Sequence, residues 1–189
     1  MGVPSEKLTL SALLDRENTQ RTRNEYCRGE GFAMVGTRRS HGRVVANLTH
    51  ALMSAFDGSP CQVFHEGMKV RVADDAILYP DVFVTCDAAD LRTEMLFTAP
   101  TLVIEVLSPS TEEYDCSGKF ALYRRLTSLK EYVLVNPETR RVESLVRGAD
   151  GLYVLHDMSD DDQLNFRSLD IAVPAAAVFA GLQARAPAE

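Results

Sequence analysis

Two nearly continuous apolar runs, residues 77–85 (ILYPDVFVT) and 101–107 (TLVIEVL), limit the fold most strongly. Runs of this kind are strands covered on both faces, so the chain must build a sheet with a layer on either side. Each run carries one acid, Asp81 in the first and Glu105 in the second. Glu105 has apolar neighbours before and after it, and Val103 and Leu107 share its face of the strand. A carboxylate buried without a partner costs several kcal/mol, and a cation beside it removes that cost. Asp81 poses the same problem on a similar strand. Two acids brought together on neighbouring strands repel unless a divalent ion lies between them.

The other elements follow from periodicity. Residues 40–56 form a helix, because Val44, Val45, Leu48, Leu52 and Phe56 recur at three- and four-residue steps. Ser40 is its expected N-cap and Gly58 its stop. Residues 8–17 read as a short helix, and 25–35 as a hairpin turning at 28–31 (RGEG). Residues 68–72 alternate as a half-buried strand. Helical spacing returns over 118–126, and 132–135 is a buried strand closed by Asn136-Pro137. Residues 142–146 and 152–156 make a hairpin around Asp150-Gly151, and Pro174 opens a terminal helix at its first position. This order gives a mixed sheet flanked by helices, in the α/β or α+β class.

Composition narrows the classes. At 189 residues, 46% of them hydrophobic, the chain is expected to form a single domain over 1–189, needing neither disulfide nor metal to fold. Its 20 basic and 27 acidic side chains give a net charge of −7, which argues against a general nucleic-acid coater while leaving room for a local basic cleft. Cys27, Cys61, Cys86 and Cys116 are widely spaced without a CxxC, which reads as four buried thiols in a reducing compartment. The longest apolar stretch, 171–182, is broken by Pro174 and falls short of the roughly 18 residues of a membrane span. With no signal peptide at its start, a soluble cytoplasmic protein is expected.

Two further residues disagree with their surroundings. Lys119 falls in step with Leu122, Tyr123 and Leu126, on the face that packs on the sheet, and in the first turn, where the helix dipole disfavours a cation by a few tenths of a kcal/mol. His41 shares a helical face with Val45, Leu48 and Leu52. Each has an ordinary explanation. Asp81 serves equally as a strand-end acid capping amides, Glu105 and Lys119 as a structural ion pair, Lys119 as a side chain snorkelling past the sheet edge, and His41 as a helix-terminus histidine. Four such exceptions on adjoining elements point to a site, because breaches of local rules gather where function is.

The string Leu78-Tyr79-Pro80-Asp81-Val82, then Val103-Ile104-Glu105-Val106-Leu107-Ser108-Pro109-Ser110-Thr111, Tyr114-Asp115 and Lys119, resembles the Uma2 (DUF820) family of restriction endonuclease-like proteins. Residues 128–135 (SLKEYVLV) continue the likeness, and Asn24-Glu25-Tyr26 to Gly31 and Gly36-Thr37 to His41 resemble the family's opening. The similarity covers residues 22–153. It implies a restriction endonuclease-like core with added N- and C-terminal hairpins, similar to PD-(D/E)XK nucleases, which carry Mg²⁺ at the edge of a central sheet.

Carried over by position, the resemblance makes Asp81 and Glu105 ligands of Mg²⁺, or of Mn²⁺ in its place, with the Val106 carbonyl as a third oxygen. Lys119 becomes the lysine displaced to the following helix, because Leu107 stands where the parent signature has Lys. His41 matches a helix position that carries a polar site residue. The implied activity is Mg²⁺-dependent hydrolysis of DNA phosphodiesters by a homodimer, with residues 32–35 as a candidate interface strand or as plain sheet. Arg38, Arg39 and Arg43 are candidate backbone contacts or a solvated helix start; for Lys69 and Arg71 a solvated strand face ranks first. Asp115 reads as a helix cap ahead of a place in the metal shell, and Ser108 and Ser110 read equally as hydrogen-bond partners of the site carboxylates and as turn residues around Pro109. Leu107 and the net charge favour an alternative, a catalytically inactive dimeric module that binds nucleic acid. A metal-dependent hydrolase with another substrate is the third reading.

Overall fold

The protein is described from a computed structural model at residues 9, 12, 24–27, 30–33, 38–108 and 118–182. Apart from residues 9 and 12, the expected helix over 8–17 lies outside these residues, as do Asp115, Ser110, and Arg28 and Gly29 of the first turn. The strands are β1 (Asn24–Cys27), β2 (Glu30–Ala33), β3 (Gln62–His65), β4 (Lys69–Ala73), β5 (Ala76–Leu78), β6 (Val82–Thr85), β7 (Leu96–Phe97), β8 (Leu102–Val106), β9 (Glu131–Val135), β10 (Val142–Arg147), β11 (Tyr153–Asp157), β12 (Gln163–Phe166) and β13 (Ile171–Pro174). The helices are α1 (Arg39–Ala55), α2 (Phe120–Tyr123) and α3 (Ala175–Val178). This is the mixed α/β architecture expected, and among the described residues the helix expected over 118–126 is shorter, Phe120–Tyr123.

A six-stranded sheet in the order β11-β10-β9-β8-β6-β3 forms the centre. Its middle strand β8 pairs parallel with β9 and antiparallel with β6. One face of β8 (Leu102, Ile104, Val106) packs with Val44, Val45, Leu48 and Leu52 of α1, and with Leu164, Phe166 and Val173 of the β12–β13 hairpin. The opposite face (Val103, Leu107) packs with Leu122 and Tyr123 of α2 and with Val70, Val72 and Leu78 of a second sheet, ordered β2-β1-β5-β4-β7. The central sheet therefore lies between a helical layer and another sheet, which is why both apolar runs lack alternation.

The run over 77–85 is not one strand. It breaks at Tyr79-Pro80-Asp81, so that β5 belongs to the second sheet and β6 to the central one. Pro80 has no N–H for a ladder, so a strand ends there. Arg38, not Ser40, occupies the N-cap of α1, without a side-chain cap bond, and Ser40 lies inside the first turn. Gly58 (φ +73°) takes the left-handed backbone beyond the helix end. Pro174 likewise stands at the N-cap of α3 while closing β13, not at the first helical position. Strands β3, β7, β12 and β13 had no expected counterpart; all are short, and β3 and β12 mix polar and apolar residues.

The cysteines also differ from expectation. Cys61 and Cys86 form a disulfide, and both are half-buried. Gln62 pairs with Thr85 in the β3–β6 register, so the next residues outward face each other, with Cα atoms 4.1 Å apart. Without β3 the facing positions were invisible in the sequence. Residues 32 and 33 fall in the edge strand β2, and 34 and 35 lie outside the described residues. No helix among the described residues is long and apolar enough to cross a membrane.

Leu48 is fully buried between α1 and the sheet, whereas Met53 on the same helix is 49% exposed. Leu48→Ala should lower unfolding free energy by about 2–5 kcal/mol, and Met53→Ala by no more than about 0.5 kcal/mol. Urea denaturation of the two variants measures the difference.

Candidate metal centre

The end of β8 organises the site. Asp81 immediately precedes β6, and the pairing Val82↔Ile104 and Phe83↔Val103 carries it alongside the end of β8. There the Val106 N–H donates to Asp81 Oδ2 at 2.8 Å. His41, buried in the first turn of α1, places Nε2 3.2 Å from the same oxygen. On the other side of Asp81, the Glu66 N–H donates to the Asp81 carbonyl at 3.1 Å, extending the β3–β6 ladder past His65↔Val82. Ligand-type atoms of His41, Glu66 and Asp81 all lie within 4.8 Å of one another, on a gradient from buried His41 to exposed Glu66.

Glu105 occupies the opposite face of β8 from Ile104 and Val106, as its alternation with Val103 and Leu107 requires. Only 1% of its surface is exposed. Lys119 Nζ lies 3.3 Å from Glu105 Oε2 and 3.1 Å from Glu25 Oε1 on β1. Glu25 Oε1 also accepts the Tyr79 N–H at 3.3 Å, just before the Pro80 break. Lys119 reaches both acids from a wide, π-type turn over Gly118–Lys119 that leads into α2. One ammonium between two carboxylates offsets much of their desolvation cost, which is large for charges this deeply placed.

The Tyr123 phenol is buried beside this group. Burial, followed by the negative charges of Glu105 and Glu25, pushes its pKa well above the usual phenol range. It therefore keeps its proton next to the acids.

The structure thus joins Glu105 to Lys119, and His41 to Asp81. The two pairs meet through adjacent residues of one strand, the Glu105 side chain and the Val106 backbone. Val106 touches Asp81 through its N–H, a contact different in kind from the carbonyl ligation the sequence suggested. Arg38 pairs with exposed Glu138 at 2.9 Å, and Arg39 and Arg43 are exposed. Arg71 is exposed as expected; Lys69 is buried, contrary to the solvated strand face expected for it.

Three members were not named from the sequence. Glu25 sat inside a recognised motif, but its pairing with a lysine 94 positions later (119 − 25) is a tertiary fact. Glu66 follows a strand that periodicity did not show. Tyr123 was counted with the apolar face of its helix. Carboxylate oxygens with one imidazole nitrogen suit a divalent cation such as Mg²⁺ or Mn²⁺. The residues present therefore fit the ion that the sequence resemblance implies.

Comparison with known proteins shows the family and the fold. The model of the Uma2 family, described as "Putative restriction endonuclease", matches residues 10–176. An uncharacterised protein, slr1290, of Synechocystis sp. (strain ATCC 27184 / PCC 6803 / Kazusa) is 32% identical over 182 residues, covering 96% of each chain. A second from the same organism, sll1609, is 29% identical over 168 residues, covering 87% of this chain and 95% of its own. The crystal structure titled as a putative nuclease belonging to DUF820 from Anabaena variabilis ATCC 29413 superposes with a TM-score of 0.71 at 16% identity. It covers 88% of this chain and 96% of its own, and shows the fold.

Lys119→Met leaves two buried acids facing each other and should cost about 3–5 kcal/mol of stability. Arg125→Met, which breaks an exposed pair with Asp75, should cost under about 1 kcal/mol. Chemical denaturation at neutral pH compares them. Because the folded pKa of Tyr123 is raised, its contribution is complete below the unfolded value of about 10 and is lost as pH rises through the folded one. Stability should therefore fall from about pH 10 upward, and Tyr123→Phe should flatten that decline.

Proposed function

The chain belongs to the Uma2 family, and from that premise we propose that it is a metal-dependent endonuclease hydrolysing phosphodiester bonds of DNA. The observation that supports this most is the convergence at the end of β8. Asp81 is held there by the Val106 N–H, and Glu105 meets Lys119 one residue away.

In this reading Asp81 and Glu105, with Val106, hold Mg²⁺ or Mn²⁺. The bound ion would make a water ligand more acidic and offset charge growing on the phosphate. The protein does the rest. The Val106 N–H and the His41 imidazole fix the Asp81 carboxylate from two directions, so that it is oriented before substrate arrives. Lys119 balances Glu105 and Glu25 and supplies positive charge beside the reacting phosphate. Tyr123 presents a protonated phenol to the acids, and the apolar layer of Val103, Leu107 and Leu122 keeps water from that side.

The same reading has the protein act on DNA in the cytoplasm as a single-domain homodimer. One observation favours the alternative of an inactive binding module. Lys119, the lysine that must serve in place of Leu107, is already engaged by two acids.

Cleavage of plasmid and linear DNA should require Mg²⁺ or Mn²⁺ and stop in EDTA. Asp81→Asn and Glu105→Gln should each lower the rate by about 10²-fold or more. DNA binding without cleavage in either metal, unchanged by both substitutions, contradicts the nuclease and supports the binding module.

A further inference from the structure

Glu66 carries no role in the reading above. Its side chain nevertheless comes within 4.8 Å of ligand atoms on His41 and Asp81. Three observations bear on that arrangement. First, the placement is set by the backbone, because the Glu66 N–H bonds the Asp81 carbonyl and β3 is paired with β6 as far as His65↔Val82. Second, His41 is a buried imidazole whose Nε2 faces the Asp81 carboxylate, at a helix start with no acid in its first turn.

Third, charge is balanced unevenly across β8. Lys119 serves Glu105 and Glu25 on one face. Among the described residues no lysine or arginine comes within salt-bridge distance of Asp81 or Glu66. Two carboxylates and an imidazole that converge with no lysine or arginine beside the acids among the described residues suit an added cation.

We propose that Glu66, His41 and Asp81 form a divalent-cation position at the junction of α1, β3 and β6, and that it takes a first-row transition ion in preference to Mg²⁺. The proposal rests on the reading of Asp81 as a metal ligand and adds Glu66 and His41 to it, the His41 imidazole exchanging its hydrogen bond to Asp81 for the ion when one binds. The preference follows from the donor set. Mg²⁺ is held by oxygen ligands and water, whereas an imidazole nitrogen raises affinity for Mn²⁺ and its heavier neighbours. Glu66, being exposed, gives the ion an entry path from solvent.

The test is equilibrium binding, independent of catalysis. Mn²⁺ is titrated into the full-length protein by calorimetry, with Mg²⁺ as competitor, for the parent and for Glu66→Gln, His41→Gln, Asp81→Asn and Glu94→Gln. Glu94 is an exposed acid after β6 whose substitution removes the same charge elsewhere. Thermal melting checks that each variant is folded.

Glu66→Gln and Asp81→Asn should weaken Mn²⁺ by about tenfold or more, with Glu94→Gln unchanged. His41→Gln should weaken Mn²⁺ more than Mg²⁺ and so narrow the preference. If Asp81→Asn weakens binding while Glu66→Gln matches the parent, the inference is overturned and the reading of Asp81 stands. If Asp81→Asn also matches the parent, both fall. A Mn²⁺-to-Mg²⁺ preference unchanged in His41→Gln overturns the selectivity.

Discussion

A buried carboxylate needs a cation, and that need shapes the middle of this protein. Glu105 lies on the central strand of a sheet covered on both faces, where ionisation without a partner would cost several kcal/mol. Lys119 removes that cost, but it must come from the short helix that follows β8 and be held by a second acid, Glu25, from the outer sheet. The ion pair thus ties three layers together: β8 of the central sheet, the turn before α2, and β1 of the second sheet. Replacing a buried ion pair with apolar residues is often neutral or stabilising, so stability alone does not require these charges.

The other acid is managed differently. Asp81 stands at the break imposed by Pro80, where the chain passes from the outer sheet to the central one, and it is fixed by a backbone N–H and a histidine. Both contacts converge on one carboxylate oxygen, Asp81 Oδ2, and so fix its orientation. One strand end therefore carries a neutralised acid on one face and an oriented, partly exposed acid beside it.

Much of this was legible in the sequence because burial leaves a local mark. Glu105 and Asp81 interrupted apolar runs, and Lys119 and His41 fell on apolar helical faces, so each could be identified from its immediate neighbours. The helix α1 and the strands β8 and β9 were readable for the same reason. What could not be read depended on partners distant in the chain. Glu25 and Glu66 look like ordinary polar residues until β1 and β3 are placed against β5 and β6. The disulfide between Cys61 and Cys86 needs the β3 register, and β3 (QVFH) is too short and mixed for periodicity to show. The long run over 77–85 read as one strand because its apolar content does not reveal that its two halves serve different sheets.

The most direct test of the account is a crystal of the protein equilibrated with Mn²⁺ and measured for anomalous scattering. The account predicts a peak bonded to the Asp81 carboxylate at the end of β8, with Glu105 as a further ligand, the Lys119 ammonium nearby, and Glu66 and His41 on the side of α1 and β3. Saturating Mn²⁺ with no density at Asp81, or an ion that binds only elsewhere on the surface, would contradict it.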